Sequence, residues 1–264
     1  MRFSFRERYH GFFEHLGKRA RNWVETTGAV AIMFGEALFH SVTPPFKFKN
    51  MLKQMEGVGV GSLFVVILTG SFTGMVLAMQ GYTALKRFGA ESLVGPTVAL
   101  SMARELGPVL TGLMVTGRAG SAMATELGTM RVTEQIDAIT TMGLNPVRYL
   151  LSPRVIAGAA MLPILTIISD FTGVIGGYLV GVKLLDINSG VYIGRTIDHV
   201  DIWDIFNGLL KAFFFGIIIS VSACYHGFNT TGGAEGVGRA ATRAVVMGCV
   251  LILMVDYILT SIMF

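Results

Sequence analysis

Five long apolar runs dominate this 264-residue chain and restrict it to proteins that cross a membrane several times. A transmembrane helix needs about 20 consecutive, mostly apolar residues. Only 14% of the residues are charged, against about 25% in an average soluble domain. We therefore predict an all-α polytopic membrane protein with five transmembrane helices, near residues 58–83, 93–117, 155–182, 202–224 and 245–264.

The chain ahead of these runs predicts a different environment. Residues 1–27 combine an aromatic apolar face with clustered Arg and Lys, which is typical of an amphipathic helix lying in the membrane interface. A soluble helix packed on a partner is the alternative. Residues 28–42 are apolar but too short to cross, so we expect a re-entrant or elbow segment. The whole chain is expected to form one domain, with an interfacial and elbow region (1–56) before a five-span region (57–264).

Two adjacent charges, Arg104 and Glu105, interrupt the second apolar run. A charge at that depth costs roughly 2.5–3.5 kcal/mol on insertion scales, so it normally faces a cavity or a partner. Pro108 has no N–H group, which leaves the carbonyl of Arg104 without its helical hydrogen bond and favours a kink. Two interpretations stay open: the pair lines a polar cavity or a dimer seam, or it forms structural ion pairs between spans. The candidate ion-pair partners are Asp170, Lys211 and Asp256.

A short helix pattern occupies the polar interval between the second and third runs. Thr133 is the predicted N-cap, and Glu134 and Asp137 place negative charge in the first turn, where the helix dipole favours it. Gly143 predicts the C-terminal stop, and Pro146 prevents the helix from continuing. The sequence therefore predicts a separate, capped helix near 134–142.

One face of this predicted helix is apolar, because Ile136, Ile139 and Met142 recur at helical spacing. A capped helix between two spans, outside the apolar phase, is a natural docking element for another protein. We expect the apolar face to enter a groove on that partner.

The positions of Lys and Arg predict the orientation, because short cytoplasmic connections are enriched in both. One side holds the basic N-terminus and six arginines: Arg118, Arg131, Arg148, Arg154, Arg239 and Arg243. The other side holds fewer basic residues: Lys86, Arg87, Lys183 and Arg195. We therefore predict a cytoplasmic N-terminus and docking helix, and a C-terminus on the opposite side.

Other sequence features predict structural roles. Gly70, Ser71 and Gly74 form a small-residue face in the first run, and the glycines of 173–181 suit close helix packing. The glycines at 232–238 are expected to form a flexible turn. Cys224 and Cys249 lie in or beside apolar runs and match no metal or redox spacing.

No catalytic constellation is recognisable, so we do not expect an enzyme. The five histidines are dispersed, no nucleophile stands beside a plausible base, and no metal site is expected. The chain has no Walker A sequence, so any nucleotide would bind another protein. The net charge of +4 fits positive-inside bias and contact with anionic lipid rather than nucleic-acid binding.

Two segments closely resemble the MlaE/YrbE permeases: RELGPVLTGLMVTGRAGSAMATELGTMRVTEQIDAI and MGLNPVRYLLSPR, which both fall within residues 104–154. The likeness extends to Gln80-Gly81-Tyr82 after the first run and to GRAATRAVV before the last. These permeases are the inner-membrane subunits of the ABC-type Mla system, which moves phospholipid between the inner and outer membranes of Gram-negative bacteria. The resemblance therefore implies a lipid-transporting permease that maintains outer-membrane lipid asymmetry.

The resemblance also implies partners and sites. The permease would be a homodimer in the bacterial inner membrane, with a periplasmic C-terminus and a hexameric MCE-domain protein on the periplasmic side. A cytoplasmic ABC ATPase, bound to a small STAS-domain protein, would carry ATP and magnesium, so no cofactor is expected in this chain. Phospholipid would occupy a cavity lined by Leu77, Leu85, Phe88, Arg104 and Glu105. The ATPase would dock on a coupling helix through Glu134, Gln135, Ile136, Asp137, Ile139 and Met142.

Three alternatives stay open. The same family architecture would also serve a sterol or another hydrophobic lipid. An ion-gradient-driven transporter would use Glu105, Asp170 and Asp256 as a proton path and would work without an ATPase. A purely structural membrane scaffold is the third alternative.

Overall fold

The computed structural model describes residues 48–263 and, before them, only Arg21, Gly28, Gly35 and Glu36. The predicted interfacial helix and almost all of the elbow segment therefore lie outside the described residues. Among the described residues, five helices are long and apolar enough to cross a membrane, as predicted. They are called the first to fifth spans below: Phe48–Phe88, Glu91–Val132, Val147–Leu184, Ile202–Phe228 and Gly233–Met263.

Residues 48–263 contain no β-strand, which confirms the predicted all-α class for this part of the chain. The α-helices are α1 (Phe48–Leu85), α2 (Val94–Ser101), α3 (Gly107–Val115), α4 (Ser121–Val132), α5 (Gln135–Thr141), α6 (Ser152–Tyr178), α7 (Ser189–His199), α8 (Ile202–Phe228) and α9 (Gly233–Met263). Short 3₁₀ turns cover Lys86–Phe88 and Glu91–Leu93. Wider π-helical turns cover Met102–Leu106, Thr116–Gly120, Val147–Leu151 and Leu179–Leu184.

The second span continues to Val132, well past the predicted end near residue 117. Its last part, α4, buries Met123, Ala124 and Leu127 against neighbouring spans. Hydropathy marks where a helix leaves the apolar phase, but backbone hydrogen bonds and side packing carry the helix further. Much of the predicted polar interval is therefore helix.

The glycine-rich stretch before the last span is also more helical than expected. The fifth span begins at Gly233, so the prediction of a flexible turn over 232–238 is wrong for 233–238. The real turn is short, and Gly232 and Gly233 adopt positive φ angles of 91° and 63° there. That left-handed backbone favours glycine.

Small residues bring the first and third spans into backbone contact. A Cβ atom on Gly70 would lie 2.7 Å from the carbonyl oxygen of Ser169, and one on Gly74 would overlap the carbonyl of Gly173. The predictions of a small-residue face in the first span and of helix packing at 173–181 are both confirmed. Such contacts allow the close approach that stabilises helix pairs in lipid.

The second and fourth spans form the centre of the described bundle. In the most apolar 18 residues of the second and fourth spans, the buried share is 50% and 56% respectively. The corresponding fractions are 22% for the first span and 11% for the fifth. The charges of the second span therefore lie beside the fourth span, whereas the first and fifth spans present apolar side chains outward.

Candidate functional site

The Arg104-Glu105 pair lies in a π-helical turn of the second span. Met102–Leu106 forms this turn, which ends two residues before Pro108, at the place where the sequence predicted a departure from a regular helix. The carbonyl of Arg104, which Pro108 leaves without a helical donor, accepts a hydrogen bond from Lys211 Nζ at 3.1 Å. The structure thus supplies a side chain of the fourth span where the backbone partner is lost.

Lys211 is the centre of a buried polar cluster that joins three spans. Its side chain is fully buried, with 0% exposure. Its Nζ atom donates to Glu105 Oε2 and to Thr260 Oγ1, each at 2.7 Å, and lies 3.3 Å from Asp256 Oδ1. Lys211 and Asp256 are therefore confirmed as members of one ion-pair cluster with Glu105. The cluster also keeps the ammonium group satisfied inside the bundle.

Arg104 has a partner that the sequence did not suggest. Its Nε atom donates to Asp204 Oδ1 at 2.7 Å, at the beginning of the fourth span. Asp204 also closes a capping box with Asp201, because Asp204 Oδ2 accepts from the Asp201 N–H at 3.1 Å. One carboxylate therefore caps α8 and holds the guanidinium group of the second span.

Asp170 does not join this network. It makes none of the ion pairs found between residues 48 and 263, so its prediction as a partner of Arg104 or Glu105 is wrong. Its side chain instead packs against Gly107, where a Cβ atom would overlap the Asp170 carboxylate. The polar side chains that the prediction missed are Asp204 and Thr260. The spacing Asp201-x-x-Asp204 indicates a capped helix start, but it does not indicate which span faces it.

The other predicted cavity residues are only partly brought together. Leu77 and Leu85 pack, half-buried, on an apolar cluster around Val94 and Met102, and Leu106 packs on the same cluster. Phe88 is 83% exposed. Two polar clefts of about 320 Å³ and 230 Å³ open elsewhere in the described bundle, and neither includes any of the five predicted residues.

The coupling helix exists, with α5 at Gln135–Thr141, but its first turn differs from the prediction. Thr133 does not cap it, because the Thr133 hydroxyl donates back to the Thr129 carbonyl at 2.9 Å. Glu134 occupies the N-cap position with a left-handed φ of 59°, outside the first turn. The Thr133 side chain bonds to α4 rather than to α5 because α4 ends only one residue before it.

The predicted end of the coupling helix is confirmed. Gly143 has a φ of 74°, its N–H donates to the Thr140 carbonyl at 3.0 Å, and the Leu144 N–H donates to the Ile139 carbonyl at 3.2 Å. This pair of bonds is the Schellman arrangement, which glycine favours because it has no Cβ. Asp137 also lies in the first turn, as predicted, and pairs with Arg131 at 2.6 Å.

The apolar side chains of α5 face the chain's own core. Ile136 and Ile139 are 1% and 9% exposed, and they pack with side chains from the second, third and fourth spans. Met142 is 68% exposed. Glu134, Gln135 and Asp137 are also exposed. The surface that α5 offers to another protein is therefore mostly polar, with Met142 as its apolar part.

All six arginines that were assigned to connections lie within the helical spans, and two of them tie spans together. Arg118 donates from Nη1 to the Gly57 carbonyl of the first span at 2.6 Å. Arg154 is 3% exposed and pairs with Glu126 at 2.7 Å, which joins the third span to α4. Among the described residues, no group of three or more His, Cys, Asp or Glu side chains is arranged to hold a metal ion.

Several known proteins are similar to this chain over most of its length. Residues 51–262 match the family model described as Permease MlaE. A probable ABC transporter permease protein of Rickettsia bellii is 46% identical over 249 residues, which is 94% of this chain and 96% of that protein. The intermembrane phospholipid transport system permease protein MlaE of Haemophilus influenzae is 39% identical over 254 residues, or 96% and 97% of the two chains. Protein TRIGALACTOSYLDIACYLGLYCEROL 1, chloroplastic, of Arabidopsis thaliana is 39% identical over 236 residues, 89% of this chain and 67% of that protein. The chain therefore belongs to the MlaE permease family.

Proposed function

We propose that this protein is the membrane permease of an ATP-driven phospholipid transporter in the bacterial inner membrane. The observation that carries the proposal is its similarity, over 96% of its length, to the phospholipid transport permease of Haemophilus influenzae. The permease moves phospholipid between the inner membrane and a periplasmic MCE-domain protein and so maintains the lipid asymmetry of the outer membrane. It carries no catalytic residues of its own.

In this proposal the permease works as a homodimer with an ATPase on its cytoplasmic side. ATP and magnesium bind the ATPase, to which a small STAS-domain protein also binds. The ATPase docks on α5 through its exposed side chains, namely Glu134, Gln135, Asp137 and Met142. Ile136 and Ile139 contribute differently from our first expectation, because they join α5 to the cores of three spans. Movement of α5 is thereby passed to the bundle.

The charge pair of the second span is the proposed contact for the lipid head group. The side chains of Arg104 and Glu105 are 39% and 37% exposed, whereas their partners Asp204 and Lys211 are 6% and 0% exposed. The accessible members can therefore meet a ligand while the buried members hold them in place. A guanidinium group is well suited to bind a phosphate. Leu77 and Leu85 supply apolar surface for the acyl chains.

Transport in a reconstituted system tests the proposal. The permease would be purified from native membranes with its bound proteins, reconstituted in liposomes, and supplied with fluorescent phospholipid or a fluorescent sterol. We expect ATP-dependent transfer of the phospholipid, and no transfer when the Walker A lysine of the ATPase is changed to alanine. Transfer driven by a proton gradient without ATP would instead support an ion-coupled transporter.

The cargo favoured in this proposal is a diacyl lipid. The names of two relatives refer to phospholipid and to trigalactosyldiacylglycerol, which favours a diacyl lipid over a sterol. Mass spectrometry of lipid extracted from the purified complex distinguishes the two. Sterol as the main bound lipid would contradict the phospholipid assignment while leaving the permease assignment intact.

A further inference from the structure

The connection between the third and fourth spans contains an amphipathic helix, α7, with exposed apolar side chains that lie outside the proposed lipid and ATPase sites. Ile193 and Ile197 stand one turn apart and are 45% and 71% exposed. At about 100° per residue, Arg195 lies on the opposite side of the helix from both. The helix therefore has an apolar edge at Ile193 and Ile197, and an opposite edge that carries Arg195 together with the exposed Val191, besides the face that packs on the bundle.

The packed face of α7 is fixed by a buried tyrosine. Tyr192 is 2% exposed, and its ring lies edge-on to Tyr178 of the third span at 5.7 Å between centroids. A Cβ atom on Gly95, at the beginning of the second span, would lie 3.1 Å from the Tyr192 ring. Burial raises the pKa of Tyr192 to about 12. The orientation of Ile193 and Ile197 is thus set by the core.

The helix α7 is attached to the ends of three spans. Its body rests on the beginning of the second span, four residues join it to the end of the third, and only Val200 and Asp201 join it to the fourth. Because an extended chain covers at most about 3.6 Å per residue, the end of α7 lies within a short distance of the fourth span. The helix therefore lies beside the ends of these three spans.

The fourth span, which starts shortly after α7 in the chain, also exposes apolar side chains at this end. The first turn of that span exposes Ile202 by 82% and Trp203 by 70%, and Trp203 stacks edge-on with Phe206 at 5.7 Å. Tryptophan is enriched where a membrane protein crosses the interface. The same end of the bundle exposes Phe88 and Leu184 beside Lys86, Arg87 and Lys183. Apolar side chains next to basic ones suit the boundary between head groups and acyl chains.

We propose that α7 is an interfacial helix that inserts Ile193 and Ile197 into the lipid boundary at the loop end of the third and fourth spans, at the same level as Trp203 of the fourth span. Its ligand is the membrane surface itself. Helices of this kind sit about 5–10 Å into the boundary between head groups and acyl chains. The proposal concerns only the connection between these spans and does not depend on the cargo or on the ATPase.

Tryptophan fluorescence tests the proposal without chemical labelling, because the chain has only Trp23 and Trp203. Trp23→Phe leaves Trp203 as the single probe. A second probe is Ile197→Trp in a Trp23→Phe, Trp203→Phe background, and its matched control is Arg195→Trp in the same background. Each full-length variant is placed in phospholipid nanodiscs without partner proteins. Emission is measured with lipid that carries a spin label near the carboxyl end of its acyl chain and with aqueous iodide.

We expect the spin-labelled lipid to reduce emission from Trp203 and Ile197→Trp by at least about twofold, given a helix seated at the acyl-chain boundary. Iodide should quench the Arg195→Trp control and leave the other two nearly unchanged. Equal iodide quenching of the Ile197 and Arg195 probes would overturn the proposal. Protection of Ile197→Trp from both quenchers would also overturn it, because another protein chain would then cover the face.

Discussion

Individual residues in the bundle stabilise the charges that lie within the spans. Lys211 is buried between two carboxylates, a hydroxyl and a carbonyl released by Pro108. Removing one member of a buried ion pair leaves the other uncompensated, which typically costs about 3–5 kcal/mol. The cluster is therefore expected to behave as a unit rather than as independent contacts.

Lys211→Met should lower the free energy of unfolding by roughly 3 kcal/mol or more, because Glu105 and Asp256 lose their counter-charge. Adding Glu105→Gln and Asp256→Asn should recover most of that loss. Thermal unfolding of the purified variants in detergent measures both effects. A triple variant no more stable than Lys211→Met would show that the charges do not act together.

Arg104→Gln should reduce phospholipid transport more than it reduces stability. The Arg104 side chain is 39% exposed, so only part of it is buried against Asp204. Transport in liposomes and thermal unfolding are compared for the same preparation. Asp204→Asn serves as the control, because it removes the ion pair but retains an oxygen that can cap α8. Normal transport by Arg104→Gln would remove Arg104 from the proposed lipid site.

At the scale of elements, different residues at α5 are expected to serve docking and folding. Met142→Asp should release the ATPase, since losing an exposed anchor at an interface hot spot costs about 2 kcal/mol or more. The fold should be unaffected, because Met142 is 68% exposed. Ile136→Asp should instead destabilise the permease, because Ile136 is 1% exposed in the core. Recovery of the ATPase by pull-down, together with the melting temperature, distinguishes these effects.

Thr141→Ala is the matched control for Met142→Asp, since Thr141 is an exposed neighbour at the end of the same helix. It should leave ATPase recovery unchanged. Full recovery of the ATPase by correctly folded Met142→Asp would mean that the ATPase docks through the polar residues of α5 alone or elsewhere on the permease.

The crossing of the first and third spans is a second test at this scale. Gly74→Leu should destabilise the bundle by about 1–3 kcal/mol, because its side chain would displace the backbone of Gly173. Gly57→Ala in the same helix should be neutral or stabilising by up to about 1 kcal/mol, since nothing lies within 4 Å of the added Cβ. Unfolding in detergent measures both. Equal stability of Gly74→Leu and the parent protein would show that the two helices are not held this closely.

At the scale of the whole molecule, the fifth span is the least covered part of the described bundle. Only 11% of its apolar window is buried within one chain, so lipid or a second copy must cover the rest. We expect a dimer in nanodiscs, with twice the 28.5 kDa mass of one chain by native mass spectrometry. A monomer that retains ATP-dependent transport would contradict the proposed homodimer.

The sequence by itself determined the number of spans and the end of the coupling helix. Length and hydropathy are local properties, and the left-handed Gly143 and the missing N–H of Pro108 act on their own backbone neighbours. The small-residue face at Gly70 and Gly74 was also readable, because only small side chains allow such close packing.

Only the tertiary structure decided which charges meet. Arg104 pairs with Asp204 at the start of the fourth span, whereas Asp170 of the third span packs against Gly107. Likewise, a helical stripe such as Ile136 and Ile139 predicts a buried face without saying what buries it, and here that cover is the chain's own bundle. Contacts between residues about 100 positions apart depend on how the spans are arranged, and hydrophobic periodicity within one span carries no record of that arrangement.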